Sequence, residues 1–199
     1  GPGVCAIAFR VEESGRVVER ARQESVPVAA PDGLTLPRVV ALEGIGGCLV
    51  YLVDVYGGAG SVFDDEFEHL PNVDPHPVGF GLKTIDHLTH NVAQGNMRRW
   101  AEFYEKLFNF REVRYFDIEG KLTGLRSQAM TSPDGKIRIP INESADDRSQ
   151  IQEYLDAYNG EGVQHIALST TDVVNSVVQM RQEGVVFLDT PDTYYDAID

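Results

Sequence analysis

Basic residues are scarce in this chain, which has 17 Lys and Arg against 31 Asp and Glu among its 199 residues. The formal charge at pH 7 is therefore −14. A nucleic-acid partner is not expected, because proteins that bind polyphosphates need clustered cations to displace counterions. The same charge repels an anionic membrane surface, so a membrane partner is not expected either. Most of the acidity is expected to serve solubility.

Long apolar runs and cysteines are also in short supply. No stretch approaches the roughly 18 consecutive apolar residues of a membrane span, and no signal-peptide pattern is visible. The two cysteines, Cys5 and Cys48, each lie in an apolar run. They predict two buried thiols in a reducing, cytoplasmic compartment and argue against a disulfide framework or a zinc site. Apolar residues still make up 42% of the chain, enough for a sizeable core.

What the chain does contain is an internal repeat. Residues 1–9 (GPGVCAIAF) align with residues 160–168 (GEGVQHIAL) through two glycines, a valine and an Ile-Ala pair. A further copy begins at Ile85, so the copies start near positions 4, 85 and 163. This nearly equal spacing of about 80 residues is typical of duplicated modules.

Each copy begins with an apolar strand pattern and continues into a helical one. The middle helix has apolar residues at helical spacing, namely Met97, Trp100, Phe103, Tyr104 and Leu107. The last helix has an N-cap at Asp172, a closing Gly184 and four valines between them, namely Val173, Val174, Val177 and Val178.

Strand patterns follow the first two helices, at 36–42 and 47–55 and then at 111–118, 122–130 and 136–142. The module is therefore β-α-β-β-β, and the fold class is α+β. The stretch from Pro71 to Gly81 is rich in Pro and Gly, which is typical of a linker. We expect residues 1–78 to form one module with the linker at its end. Residues 79–199 are expected to form one full module and the start of the next.

Two histidines share one position in this repeat. His165 aligns with Ala6 of the first copy, and His87 occupies the equivalent strand position of the middle copy. Pairing of the two modules would bring their strands side by side and their imidazoles together. Imidazole is a ligand for Fe, Zn, Cu and Ni, and one added carboxylate completes a facial triad with open positions. The alternative is two core histidines that are satisfied by hydrogen bonds.

The other histidines are expected to lie outside this site. His90 comes three residues after His87, so a strand directs it to the opposite face and a structural role is expected. His69 and His76 lie in or near the linker and are expected at the surface.

Six segments of the chain carry a resemblance to a known family. They are residues 85–92 (IDHLTHNV), 100–110 (WAEFYEKLFNF), 138–143 (RIPINE), 149–154 (SQIQEY), 162–167 (GVQHIA) and 191–195 (PDTYY). These segments closely resemble the 4-hydroxyphenylpyruvate dioxygenase family, and the similarity covers nearly the whole chain. That family has the vicinal-oxygen-chelate fold, whose glyoxalase-like half-barrels agree with the repeated module.

The resemblance implies a non-haem Fe(II) dioxygenase. Such an enzyme converts 4-hydroxyphenylpyruvate and O2 to homogentisate and CO2 in tyrosine and phenylalanine catabolism. It also implies that His87 and His165 are two of the three iron ligands, and that the protein is a homo-oligomer, either a dimer or a tetramer.

The resemblance also places four polar residues on the substrate side, namely Ser127, Asn142, Gln150 and Gln164. A phenol and a carboxylate in a mostly apolar pocket need a few fixed amide and hydroxyl partners. Gln164 precedes His165, so a strand would direct it away from the metal. For the other three, ordinary strand and helix-start polarity is the alternative.

The chain departs from the family pattern at its end. The family's third ligand is a glutamate on a late strand of the last module, and this chain stops before that strand. The glutamates at 143, 153, 161 and 183 lie in the wrong part of the module to replace it. The resemblance therefore implies a chain truncated at both ends, in which residues 1–78 are the second module of an N-terminal domain and residues 79–199 belong to the C-terminal catalytic domain. By itself, we expect this chain to bind iron weakly or not at all and to be inactive.

Three other functions compete with this one. The first is 4-hydroxymandelate synthase, which shares the fold, iron and substrate but oxidises the benzylic carbon, so a product assay separates the two. The second is an extradiol ring-cleaving dioxygenase, since one fold supports many chemistries. The third is a non-catalytic binding module, which the absence of Fe(II)-dependent O2 uptake would favour.

Overall fold

The computed structural model describes residues 3–30, 36–74, 77–119, 124–146 and 149–189. Contacts divide the chain into one compact unit of residues 1–75 and 85–167 and a second of residues 76–84 and 168–199. Each of these units combines two separate segments of the chain, so the division does not test the expected module boundary after residue 78. That boundary stays a prediction. The segment at 191–195 and His76 lie outside the described residues.

The secondary structure follows the repeat. The strands are β1 (Ala6–Arg10), β2 (Ala41–Glu43), β3 (Leu49–Val53), β4 (Leu82–Val92), β5 (Arg111–Glu119), β6 (Gly124–Thr131), β7 (Arg138–Ser144) and β8 (Gly162–Thr170). The helices are α1 (Ser14–Gln23), α2 (Val62–Glu66), α3 (Met97–Phe108), α4 (Gln150–Tyr158) and α5 (Val173–Gln182). The described part of the stretch at 71–81 contains neither helix nor strand. No helix in the described ranges is long and apolar enough to cross a membrane.

The strands form two sheets. One has the order β1-β3-β2, with β1 parallel and β2 antiparallel to β3. The other has the order β5-β6-β7-β4-β8, so the middle copy has the expected β-α-β-β-β arrangement. The expected neighbourhood of the two histidine-bearing strands is confirmed, because β8 lies beside β4.

Helix α3 supplies most of the aromatic core. Its buried residues include Trp100, Phe103, Tyr104 and Leu107, which confirms the expected apolar face. Phe9 of β1 packs edge-on against Phe108, with 4.9 Å between the ring centroids. The first module and the middle module therefore share one hydrophobic core.

Two tyrosines on α4 form hydrogen bonds with equivalent positions of the first and last copies of the repeat. The rings of Tyr154 and Tyr158 stack with 5.1 Å between centroids. The Tyr158 hydroxyl donates to the carbonyl of Val4, and the Tyr154 hydroxyl donates to the carbonyl of Val163, each at 3.3 Å. Val4 and Val163 are aligned positions of the sequence repeat, so one helix holds equivalent points of β8 and the segment before β1.

The glycines matched in the repeat make this contact possible. A Cβ at Gly162 would lie 2.5 Å from a ring carbon of Tyr158, and a Cβ at Gly3 would overlap the same ring. Any larger residue would push the ring away, because real side-chain atoms do not approach so closely. Packing against a shared tyrosine therefore explains why both copies carry glycine here.

One expectation about burial is wrong. Cys48 is buried, and desolvation raises the pKa of its thiol to about 11, but Cys5 is exposed, since it lies just before β1 begins. Helix α5 has the expected cap, in which Asp172 accepts from the backbone N–H of Asn175. Its valines at 173, 174 and 178 are exposed, because within the described residues no layer covers them.

His90 has the structural role expected for it. It is fully buried, and its Nε2 lies 2.6 Å from the hydroxyl of Tyr104. Desolvation by burial lowers the pKa of His90 to about 4. The imidazole is therefore neutral in the folded protein under all but acidic conditions.

This burial predicts acid sensitivity. In the unfolded chain the pKa of histidine is about 6.5, so unfolding takes up a proton at any pH between that value and the folded pKa of about 4. Stability should fall as the pH drops through this window, by roughly 3 kcal/mol in total. Urea unfolding of His90→Gln should show a flatter pH dependence, while the exposed control His69→Gln should keep the wild-type slope. Equal slopes for wild type and His90→Gln would contradict this assignment.

Candidate metal centre

The pairing of β4 with β8 brings His87 and His165 together. Their Nε2 atoms are 3.3 Å apart, and their rings lie at 76° with 5.3 Å between centroids. Two nitrogens bound to one cation at about 2.1 Å would be separated by about 3.0 to 3.4 Å for bond angles between octahedral and tetrahedral values. The observed separation fits two ligands of a single metal ion.

The Nδ1 atom of His87 is held by a carboxylate. Asp86 Oδ2 accepts from this nitrogen at 2.8 Å, and Asp86 Oδ1 accepts from Nη1 of Arg138 on β7, also at 2.8 Å. The hydrogen bond from His87, followed by the charge of Arg138, lowers the pKa of Asp86 below its ordinary value. Asp86 is therefore ionised at neutral pH, and its Oδ2 is positioned to accept a proton carried by Nδ1 of His87.

His165 has a corresponding partner. Its Nδ1 contacts Oε1 of Gln164, and its Nε2 lies 3.0 Å from the hydroxyl oxygen of Thr89. Partial desolvation and then the neighbouring His87 lower the pKa of His165. The neutral imidazole that a metal requires is therefore favoured.

A row of polar residues lies on the same face of the sheet. Asn91 of β4, Asn142 of β7 and Ser127 of β6 occupy directly opposed register positions. Asn142 Nδ2 donates to Asn91 Oδ1 at 3.5 Å. Opposed residues share a face, as do alternate residues of a strand, so this row extends the face that carries His87 and Thr89.

The other predicted substrate residues are placed differently. Gln164 contacts the ring of His165, as described above. Gln150 is the exposed first residue of α4, and within the described residues no hydrogen bond links it to either histidine. The helix itself is capped by Ser149, whose hydroxyl accepts from the backbone N–H of Gln152.

Two nearby glutamates accept hydrogen bonds from residues at and just before the start of α3. Glu143 accepts from the backbone N–H of Met97 at 3.0 Å. Glu161 accepts from the Ala93 backbone N–H, from Asn96 Nδ2 and from Trp100 Nε1, at 2.9, 2.6 and 2.7 Å. Across the described residues, no three His, Cys, Asp or Glu side chains cluster to hold a metal. A glutamate as third ligand stays a prediction.

Four residues of this centre were missed by sequence reasoning, namely Asp86, Arg138, Thr89 and Asn91. The signal for Thr89 and Asn91 was present, because they follow His87 at steps of two along a strand and so share its face. A signal for Asp86 was present in the Asp-His pair, which parallels the Gln-His pair of the last copy. Arg138 could be found only from the alignment of β7 with β4.

Family models match both parts of the chain. One described as the Glyoxalase/Bleomycin resistance protein/Dioxygenase superfamily matches residues 84–197. Another, described as hydroxyphenylpyruvate dioxygenase, N-terminal, matches residues 1–68.

Individual proteins show the same likeness. A 4-hydroxyphenylpyruvate dioxygenase of Pseudomonas aeruginosa is 52% identical over 203 residues, covering 100% of this chain and 56% of that protein. Hemolysin VllY of Vibrio vulnificus is 52% identical over 205 residues, with the same two coverages. A triple mutant of 4-hydroxymandelate synthase from Streptomyces coelicolor has a TM-score of 0.79 at 26% identity, covering 98% of this chain and 57% of that one.

The chain spans about half the length of the curated relatives it matches. Within that span, the expected fold class and the resemblance to 4-hydroxyphenylpyruvate dioxygenases are confirmed.

The contacts of Glu161 predict a stability effect. In Glu161→Gln an amide N–H2 replaces one acceptor oxygen and faces donors, so the protein should lose roughly 2 kcal/mol of unfolding free energy. Urea unfolding measures the loss. The exposed Glu68→Gln is the matched control and should stay close to wild type. Equal stability of the two variants would show that the three hydrogen bonds to Glu161 contribute little.

Proposed function

Because this chain belongs to the Glyoxalase/Bleomycin resistance protein/Dioxygenase superfamily, we propose that the complete protein is a non-haem Fe(II) dioxygenase. It converts 4-hydroxyphenylpyruvate and O2 to homogentisate and CO2, a step of tyrosine and phenylalanine catabolism. The observation that carries this proposal is the approach of His87 Nε2 to His165 Nε2 at 3.3 Å. The 52% identity to a 4-hydroxyphenylpyruvate dioxygenase supports the choice of substrate.

His87 and His165 would hold the iron through Nε2, because each Nδ1 already has a partner. A glutamate about 80 residues beyond His165, near the repeat length, would be the third ligand. When bound, Fe(II) supplies the redox chemistry with O2 and a positive charge for the 2-oxo acid.

The polar row supplies fixed partners for the substrate. Ser127 offers a hydroxyl and Asn142 an amide on the face that carries His87, and both suit a phenol or a carboxylate. Ser127 and Asn142 lie on the paired strands β6 and β7, so their positions are fixed by the sheet and not by a loop. Gln150 and Gln164 complete the proposed substrate set, although Gln164 must then serve both His165 and the substrate.

Three properties of the complete protein belong to the same proposal. A cytoplasmic location suits a chain whose two cysteines are both unpaired. The module boundary after residue 78 and the dimer or tetramer that the resemblance implies stay predictions.

A second candidate is 4-hydroxymandelate synthase, which the structural match at a TM-score of 0.79 favours. Both activities take the same substrate, so only the product distinguishes them. Incubation of the complete protein with Fe(II), 4-hydroxyphenylpyruvate and O2, followed by chromatography, should yield homogentisate. Hydroxymandelate as the product would replace the first proposal by the second. Absence of Fe(II)-dependent O2 uptake would favour a non-catalytic binding module.

Removal of one imidazole tests the role of the pair. His165→Ala in the complete protein should abolish Fe(II)-dependent O2 uptake, because a ligand is lost, while circular dichroism and the urea midpoint stay near wild type. The matched control His69→Ala removes an exposed imidazole paired with Asp64 and should keep full turnover. Unfolding of His165→Ala would instead assign His165 to the fold, and wild-type turnover by this variant would show that His165 is not a metal ligand.

A further inference from the structure

We propose that Asp86 and Gln164 are positioning residues that fix both imidazoles as Nδ1–H tautomers, so that both bare Nε2 atoms face a single cation. This inference rests on the proposed function, since it concerns the same iron site. In this inference Asp86 orients His87, Arg138 orients Asp86, and Gln164 orients His165.

The assignment at His87 follows from the chemistry of its partner. Asp86 accepts from Arg138 through Oδ1 and has its other oxygen 2.8 Å from His87 Nδ1, so this second contact is the geometry of a proton on Nδ1 donated to Oδ2. The lone pair of neutral His87 is then on Nε2, the atom that faces His165. Without this partner the imidazole is free to place its proton on Nε2, where it would block coordination.

Arg138 fixes the carboxylate in turn. Its Nη1 lies 2.8 Å from the second oxygen of Asp86, so both oxygens have directed partners, which favours the carboxylate orientation that faces His87. Arg138 projects from β7, the strand that pairs with β4 on the side away from β8. The half-exposed position of Asp86, at 43%, means that the fold does not depend on burying it.

His165 reaches the same tautomer by a different route. With Nδ1–H donating to Oε1 of Gln164, Nε2 must accept, and the Thr89 hydroxyl 3.0 Å away is a donor of the right kind. The contacts of His165 with Gln164 and Thr89 are therefore consistent with a bare Nε2, and a cation bound to both Nε2 atoms would relieve the approach of their two lone pairs at 3.3 Å. Thr89 would release this nitrogen when a cation takes its place.

The sequence repeat provides an independent argument. In both copies that carry histidine, the preceding residue is a side-chain acceptor, Asp86 in one and Gln164 in the other. The copy that carries Ala6 has Cys5 at that position, which is exposed and unpaired. The acceptor accompanies the imidazole in two copies and is absent where the imidazole is absent, as expected if it serves the ligand. Outer partners of this kind typically strengthen metal binding by about 10- to 100-fold.

The test uses the complete protein with Co(II) alone as an oxygen-stable probe, in equilibrium dialysis. Asp86→Ala should weaken Co(II) binding by about 10- to 100-fold. Asp86→Asn keeps an acceptor oxygen and should recover most of this loss. The matched control Asp64→Ala removes an aspartate from the exposed pair with His69, and it should leave Co(II) affinity unchanged.

A spectroscopic measurement separates positioning from general damage. Imidazole 15N NMR of the metal-free protein at about pH 8, where imidazoles are neutral, should report an Nδ1–H tautomer for His87. In Asp86→Ala the signal should move toward the Nε2–H form, and in Asp86→Asn it should stay. Wild-type Co(II) affinity and an unchanged tautomer in Asp86→Ala would overturn the inference.

The proposed function and this inference fail in different ways. If His87→Ala and His165→Ala still bind Co(II) like wild type, there is no metal centre and both fail. If these two variants lose Co(II) while Asp86→Ala keeps it, the metal centre stands and only the positioning role is overturned.

Discussion

The pairing of β4 with β8 is the constraint on which the candidate metal centre depends. It brings together two imidazoles that are 78 residues apart in the sequence and sets their Nε2 atoms 3.3 Å apart. Because side chains alternate along a strand, a register slip of one residue would turn one imidazole to the opposite face. The chemistry therefore requires that this register be held firmly.

Contacts at the start of β8 are suited to hold that register. Glu161 binds the turn that follows β4 and the first residues of α3, while Tyr154 binds the carbonyl of Val163. These side chains act within four residues of His165 and lie on or beside other elements of the core. Strand β8 is thus held by polar contacts at its first residues. These contacts do not involve the side chain of His165, which therefore stays available to a metal ion.

The periodicity and the internal repeat of the sequence were sufficient to predict the elements that position the site. The helical spacing of Trp100, Phe103, Tyr104 and Leu107 predicted the buried face of α3, and the repeat predicted that the strands carrying His87 and His165 are neighbours. The exposure of Cys5 could not be predicted, because exposure depends on which layer covers an element. Asp86 was missed because successive residues of a strand usually point to opposite faces, yet its side chain reaches the ring beside it.

The central claim is that His87 and His165 bind one metal ion. The most direct measurement is an anomalous difference map at the iron absorption edge, from anaerobic crystals of the complete protein grown with Fe(II). We expect one peak at about 2.1 Å from both Nε2 atoms. A peak bound to only one imidazole, or no peak between them, would contradict it.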